Sequence, residues 1–359
     1  MKIIIAGGGT GGHLYPGIAI AREVLKEQGN DVLFIGTEQG IEAKVLPREG
    51  LPVRYITVGK LKGMKFGSIM KTMVTLPLSF MQSIQLLREK RPDVVIGVGG
   101  YTSGPVALAA WVVRIPLLIV EPNSYAGLAN RKLGRLATKV ILCFPGTGAQ
   151  HFFPAKKTKK VGPLVRKSIN QGSREKALKD FGLEQGNVTV FVMGGSGGAH
   201  AINMAMKEAA GILDKTEHLQ ILHQTGEQDI DEVTAGYRDA GVKAVVLSYI
   251  HDMAGAYAVA DLVVSRSGAT TVAELAVCGK RAVLIPFPFA ADNHQEYNAR
   301  MLAERGMADV IIQRDLKPET LAELINNYVR QDTPSRASCM ENTAAEEIAR
   351  MCKDYVQKD

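Results

Sequence analysis

Cysteine is scarce and scattered. Cys143, Cys278, Cys339 and Cys352 form no C-x-x-C pair and have no clustered histidines beside them. That excludes a disulfide framework and a sequence-spaced zinc site, and it suits a reduced cytoplasmic compartment. Aromatic residues are only 6% of the chain and fall into no known nucleic-acid-binding motif, so no nucleic-acid partner is expected. Long hydrophobic runs are also missing: the longest, "ALAAWVVRIPLLIV", is interrupted by Arg114 and Pro116, so no transmembrane span is expected. The N-terminus passes from three isoleucines straight into glycines, too short an apolar core for a signal peptide.

What is present is the composition of a globular protein, 46% hydrophobic and 22% charged, on 359 residues, enough for two domains with a cleft. The formal charge of +7 asks for an acidic partner: nucleic acid, anionic lipid or a phosphorylated substrate. Short runs rich in Val and Ile, among them "KIIIAG", "DVLFIG", "PDVVIGVG", "PLLIVE", "VTVFVMG" and "DLVVSRS", alternate with helix-length segments. They read as buried parallel strands of an α/β fold.

A repeat divides the chain. "IIIAGGGTGGH" returns as "VFVMGGSGGAH", each a strand, a glycine loop and a helix start. Two Rossmann-like domains facing across a cleft are therefore expected, at 1–162 and 163–340, joined through the Pro-, Gly- and Lys-rich "FFPAKKTKKVGPLVRKS". The C-terminal stretch 341–359 has a helical pattern, with Ala345, Ile348, Ala349, Cys352 and Val356 on one side, and can pack back on the first domain.

Glycine is costly unless backbone must turn through positive φ or come close to something. Neither loop has the spacing of the dinucleotide fingerprint, and the second strand, "VLFIGTEQG", lacks the acidic ribose ligand at its end, which counts against a nicotinamide oxidoreductase. Both loops do offer backbone N–H groups at a helix N-terminus, a place for phosphate. A third such place is "SRSGATTVAEL", where Thr270 and Thr271 open a helix and Glu274 follows in the expected first turn. These suit a diphosphate and a ribose, or equally an N-cap and a capping-box partner. In "IPFPFAADNHQEYNA", Asp292, Asn293, His294 and Gln295 are candidates for sugar hydroxyls at the end of a strand, with helix capping the alternative for the first two.

Taken in order, "GGTGGH", "GGYTSGP", "EPNSYAGLANR", "GGSGGAHAIN", "SRSGATTVAEL" and "PFPFAADNHQEYNA" resemble the bacterial undecaprenyl-diphospho-muramoylpentapeptide N-acetylglucosaminyltransferase family, MurG, of two-domain GT-B build. The resemblance implies transfer of N-acetylglucosamine from UDP-N-acetylglucosamine to a lipid-linked muramoyl-pentapeptide acceptor, with inversion and without a metal or other cofactor. It implies donor contacts from Arg166 and Ser196 at the diphosphate, Ile250 at the uracil through its backbone, and Thr270, Thr271, Glu274 and Gln295. The helix starting near Ala269 would aim its positive end at the same charge, while Thr10, Gly11, Gly12 and Asn123 close on the sugar. His13 is the expected general base, with Glu121 its rival. This sequence reads Val120-Glu121-Pro122-Asn123 where the family usually has His-Glu-Gln-Asn, so two family side chains are missing there.

The glycine loop Gly100, Tyr101, Thr102 and Ser103 is expected to hold the acceptor diphosphate on its N–H groups. A lipid-linked acceptor implies peripheral attachment to the cytoplasmic side of an anionic membrane. Lys60, Lys62, Lys65 and Lys71, interleaved with Met64, Phe66, Ile69, Met70, Met73 and Leu76, would face that surface. The only D-x-D string is Asp229-Ile230-Asp231, and it reads as solvated first-turn charge rather than a metal site. A non-catalytic UDP-sugar or lipid-binding protein is the rival from another class, since it would keep the Thr270 to Glu274 site without His13 or Glu121.

Overall fold

The computed structural model describes residues 1–58, 66–144, 148–214, 218–330 and 339–356, and for residues 66–74 the backbone alone. Lys60, Lys62, Met64 and Lys65 of the expected membrane-facing stretch lie outside it, as do the side chains of Phe66, Ile69, Met70, Lys71 and Met73.

The chain divides into two compact units, residues 1–166 with 341–359, and residues 167–340. The division falls after Arg166 rather than after Gly162. In the first unit the strands are β1 (Lys2–Gly7), β2 (Asp31–Gly36), β3 (Val53–Tyr55), β4 (Val94–Gly99), β5 (Leu117–Glu121), β6 (Lys139–Leu142) and β7 (Thr158–Lys160), all parallel in the order β3-β2-β1-β4-β5-β6-β7. In the second they are β8 (Val188–Met193), β9 (Leu219–Gln224), β10 (Lys243–Leu247), β11 (Leu262–Ser265), β12 (Arg281–Leu284) and β13 (Ala308–Val310), parallel in the order β10-β9-β8-β11-β12-β13.

Both orders run outward from the first strand of the unit and then reverse. This is the doubly wound Rossmann pattern, whose ligands bind beyond the carboxyl ends of the strands where the order switches. The switch lies between β1 and β4 in the first unit and between β8 and β11 in the second. The glycine loops after β1 and β8 stand there because each opens the first crossover of its unit.

Central strands are apolar throughout because helices cover both faces of a parallel sheet. Ile3, Ile4, Ile5, Val95, Ile96, Val190 and Val192 are buried accordingly. The stretch expected to be a linker instead contributes β7, the last strand of the first sheet. Helix Ala344–Lys353 buries Ala344, Ala345, Ile348, Ala349 and Cys352 and packs on helix Gly11–Val24, so the chain ends in the unit where it began.

Candidate active site

In the first unit, β1 runs into a turn at Gly9, whose φ of +82° suits glycine, and helix Gly11–Val24 begins after Thr10. Thr10 is the N-cap in extended conformation, and its side chain caps nothing. Its hydroxyl lies instead 3.1 Å from Nδ1 of His13. The loop after β4 comes against this turn so closely that only glycine fits. A Cβ at Gly99 would stand 2.7 Å from Cδ2 of His13, and one at Gly100 would stand 2.4 Å from the Gly8 carbonyl oxygen. Thr10, Gly11, Gly12, His13, Gly100 and Tyr101 are thus brought into one place.

Ser103, expected at the acceptor, is fully buried: its hydroxyl bridges the carbonyls of Ala6 (2.7 Å) and Gly99 (2.8 Å) and accepts the Gly99 N–H (3.0 Å). The hydroxyl fastens the β4 loop to β1 and is not itself available to a ligand, while the Ser103 N–H lies in the first turn of helix Ser103–Val112. Thr102 is buried too, and its Oγ1 has no hydrogen-bond partner among the described residues. Tyr101 is the exposed side chain of this loop.

Glu121 ends β5, two strands from β1, and is enclosed. Its Oε1 accepts from the backbone N–H (3.0 Å) and Nδ2 (3.1 Å) of Asn123, and its Oε2 accepts from Gly127 N–H (2.9 Å) and Asn130 Nδ2 (2.9 Å). Burial raises its pKa above the ordinary carboxylate value, against the lowering effect of those four donors. A carboxylate so occupied organises the turn that carries Asn123; it has no open oxygen with which to take a proton from substrate.

Arg166 stands with the first unit. Its guanidinium lies 5.0 Å from the ring of Tyr15, one turn along the helix from the glycine loop.

In the second unit, the turn Gly194–Gly198 leads from β8 to helix His200–Ala210 and leaves Ser196 exposed. It packs backbone to backbone on the turn after β9: a Cβ at Gly198 would stand 1.8 Å from Thr225 O, and one at Gly226 would stand 2.4 Å from Gly197 O. Gln224, a residue the sequence did not single out, ties this turn to the end of β10. Its Nε2 donates to Gly195 O (2.8 Å) and its Oε1 accepts the Ile250 N–H (2.9 Å). The Ile250 amide is thereby engaged.

Helix Ala269–Cys278 follows β11 with Gly268 as N-cap, so Thr270 does not cap the helix, and Glu274 lies in its second turn rather than its first. Both structural explanations for these residues fall away with that geometry. Glu274 is buried and its Oε2 accepts the hydroxyl of Tyr257 at 2.9 Å. Gln295 is held beside the turn: its carbonyl accepts Ser267 Oγ (2.8 Å) and its Oε1 accepts Phe287 N–H (3.0 Å). Asp292 and Asn293 both adopt positive φ, and the Asn293 side chain donates to Glu296 and accepts no N–H of the helix start.

The D-x-D string is not solvated charge at its first position. Asp229 is buried, and its carboxylate is taken by Asn203 Nδ2 (2.7 Å) and His200 Nδ1 (3.0 Å). Burial pushes Asp229 up, but those two hydrogen bonds and the electrostatic attraction of His200 and His223 together outweigh it and leave its pKa below the ordinary value. Asn203 in turn accepts from Nε2 of His223 (3.1 Å), whose Nδ1 accepts from Tyr237 (2.7 Å). That chain of bonds fixes one neutral tautomer.

Burial drives the His223 pKa down to about 3, opposed by the Asp229 charge. Unfolded, a histidine titrates near 6.5, so below that pH the unfolded chain takes up a proton the native state refuses. The contribution is whole above the unfolded value and is lost as pH falls toward about 3, at up to about 1.4 kcal/mol per pH unit. Urea unfolding at several pH values between 7 and 4 should show this slope, and His223→Gln should remove it; an unchanged slope would contradict the assignment.

The comparisons with known proteins fit this layout. Residues 3–142 match the glycosyltransferase family 28 N-terminal domain and residues 189–354 the family 28 C-terminal domain. A Myxococcus xanthus protein named UDP-N-acetylglucosamine--N-acetylmuramyl-(pentapeptide) pyrophosphoryl-undecaprenol N-acetylglucosamine transferase is 45% identical, over 99% of this chain and 93% of its own. The crystal structure of Acinetobacter baumannii MurG superposes with a TM-score of 0.76 at 30% identity, covering 98% of this chain and 99% of that one. A UDP-GlcNAc 2-epimerase from Neisseria meningitidis, 14% identical with a TM-score of 0.66 over 99% of this chain and 100% of its own, shares the fold alone. Fold does not choose the reaction. With both family 28 domains matched in order and the identity to M. xanthus spanning nearly the whole length, the chain belongs to glycosyltransferase family 28 and within it to the MurG family of N-acetylglucosamine transferases.

Proposed function

We propose that this chain transfers N-acetylglucosamine from UDP-N-acetylglucosamine to the C4 hydroxyl of the muramoyl residue in undecaprenyl-diphospho-MurNAc-pentapeptide, with inversion to a β-1,4 linkage. The observation that carries the reading is near-full-length identity to relatives named for that transfer. The placement of the predicted residues supports it.

In the second unit, the first-turn amides of helix Ala269–Cys278 and the hydroxyls of Thr270 and Thr271 receive the donor diphosphate, where the helix N-terminus favours negative charge. Exposed Ser196 adds a hydroxyl, and Arg166 supplies positive charge as UDP departs. Glu274 accepts the ribose hydroxyls, Ile250 meets the uracil through its carbonyl, and Gln295 offers its side-chain amide to the sugar. In the first unit, Thr10, Gly11, Gly12 and Asn123 are the residues for the donor sugar, and Gly100 and Tyr101 those for the acceptor.

His13 is the base. Thr10 Oγ1 lies 3.1 Å from Nδ1, and in the tautomer in which Nδ1 donates to it the opposite nitrogen, Nε2, carries the lone pair that takes the muramoyl hydroxyl proton. The oxygen attacks the anomeric carbon as the bond to UDP breaks, and no covalent enzyme intermediate or second carboxylate is needed. Glu121 keeps Asn123 in place. The test is acceptor dependence: purified protein given UDP-N-acetylglucosamine should release UDP only when the lipid-linked muramoyl acceptor is added. Release without acceptor, or none with it, sinks the reading.

The acceptor sets the location, the cytoplasmic face of an anionic membrane, held peripherally. Helix Ser103–Val112 packs on helix Phe66–Lys90, and the two leave Leu76, Leu78, Met81, Leu108, Trp111 and Val112 exposed. Large apolar side chains on a protein of net charge +7 suit such a surface. Among the described residues no helix is long and apolar enough to cross a membrane. Met81→Glu with Trp111→Ser should cut co-sedimentation with phosphatidylglycerol vesicles at least tenfold; equal binding would dismiss this face.

A further inference from the structure

One buried carboxylate takes no part in the chemistry above. Glu42 is the first residue of helix Glu42–Arg48 and is fully buried. Its Oε2 accepts the Gly9 N–H at 2.8 Å, and its Oε1 accepts the Thr37 N–H at 2.8 Å and the Thr37 hydroxyl at 3.0 Å. Among the described residues no cation pairs with it. Burying a carboxyl group without a cation is costly unless it is hydrogen-bonded, and three directed donors satisfy it here.

The space around it is cut to measure. A Cβ at Gly8 would stand 2.4 Å from its carboxyl carbon, one at Gly36 would stand 2.4 Å from its Cγ, and one at Gly40 would stand 2.1 Å from Oε2. Gly36 and Gly40 adopt no positive φ, so conformational freedom does not explain them. Their lack of a side chain does.

Gly9 donates to Glu42 from the turn that precedes Thr10. The backbone on either side is equally constrained: Gly100 rests on the Gly8 carbonyl, Gly99 lies against the His13 ring, and Thr10 holds Nδ1 of His13. We infer that Glu42 is a positioning residue for the transfer reaction, acting through the Gly9 N–H to fix the turn that aims the Thr10–His13 pair. The inference rests on the reading of His13 as base. It explains why a carboxylate is needed: in an amide one terminal atom becomes a donor, and it would face either the Gly9 N–H or the Thr37 pair, donor against donor.

Glu42→Gln keeps size and shape and reverses one contact. Misplacement of a catalytic group by about an ångström costs about 10²-fold, so kcat for transfer to the lipid-linked muramoyl acceptor should fall by about that factor. UDP binding, assigned to the second unit apart from Arg166, should stay within threefold. The acid limb of the kcat profile should move by half a pH unit or more, because the base would sit differently against Thr10 and Gly99, beside a turn and helix whose other titratable and charged groups are Tyr101, packed at Gly9, Tyr15, packed at Gly11, and Arg166, over the Tyr15 ring. Simple loss of folded protein lowers kcat without changing that profile. Exposed Glu38→Gln on the same loop is the control and should match the wild type.

A folded Glu42→Gln with kcat within threefold of wild type overturns the inference, and so does a fallen kcat with the wild-type pH profile. Should Glu42→Gln fail to fold, Gly8→Ala, which keeps the carboxylate and presses on the same contact, decides by the same two readouts. His13→Ala separates the two claims. Wild-type turnover there rejects the base assignment and with it the role of Glu42, whereas lost turnover there together with an unaffected Glu42→Gln rejects only the role of Glu42.

Discussion

His13→Ala should lower kcat by about 10² to 10⁴, the range a positioned general base contributes. The donor site should be left alone. The imidazole touches the first glycine turn through Thr10 and lies against Gly99, while every contact assigned to uracil, ribose and diphosphate except Arg166 belongs to residues after Lys167. A selective loss of kcat with UDP affinity unchanged is what removal of a transition-state contact looks like, whereas a proportional rise in KM would mean lost ground-state binding. Glu121→Gln should behave differently. Its carboxylate is saturated by Asn123, Gly127 and Asn130, so an amide there disturbs the turn and destabilises the fold, and the pH profile of the enzyme that remains folded keeps its shape. If His13→Ala retained wild-type kcat while Glu121→Gln changed the pH profile, the roles would have to be exchanged.

Glu274→Ala is the second large effect, and it falls on binding. A carboxylate accepting two ribose hydroxyls makes charge-assisted hydrogen bonds worth about 1.5 to 3 kcal/mol each. Their loss should raise the dissociation constant for UDP by about 10²-fold or more, since about 1.4 kcal/mol is a factor of ten. The substitution also removes a hydrogen bond from the Tyr257 hydroxyl inside the core, and part of any loss of activity would be instability from that loss. Tyr257→Phe isolates the second effect because it removes the hydroxyl and leaves Glu274 in place. The account expects Tyr257→Phe to bind UDP within a few-fold of wild type and Glu274→Ala to bind it far more weakly; calorimetry on the two proteins reads the difference. Equal weakening in both would make Glu274 a partner of Tyr257 and nothing more.

How much of this was legible in the sequence follows from what each residue depends on. Ten strands announced themselves as continuous Val- and Ile-rich runs because both faces of a parallel sheet are covered. Val53–Tyr55, Thr158–Lys160 and Ala308–Val310 did not, since three residues carry no period, and the two lysines of β7 look like linker. The glycine turns were legible because glycine there is a local cost with no local benefit. What the Ser103 hydroxyl does was not legible, because its partners are carbonyls from two strands.

Glu42 and Gln224 were invisible because their work is tertiary. One reaches Gly9 across 33 residues and the other reaches Ile250 across 26, and no spacing rule connects such pairs. Asp229 failed in the opposite direction. Its charged neighbours Glu227, Asp231 and Glu232 suggested solvent, yet it is the one turned inward to Asn203 and His200.

The same fold carries an epimerase among its distant likenesses, so the decisive question is what becomes of the sugar. The direct measurement is the anomeric configuration and destination of carbon-13-labelled N-acetylglucosamine after incubation of UDP-N-acetylglucosamine and the lipid-linked muramoyl acceptor with the purified protein, read by NMR of the lipid product. The account predicts the label in a β-linked disaccharide on the lipid, at C4 of the muramoyl residue. Label in an α linkage, in free sugar, or in a UDP-sugar epimerised at C2 would contradict it.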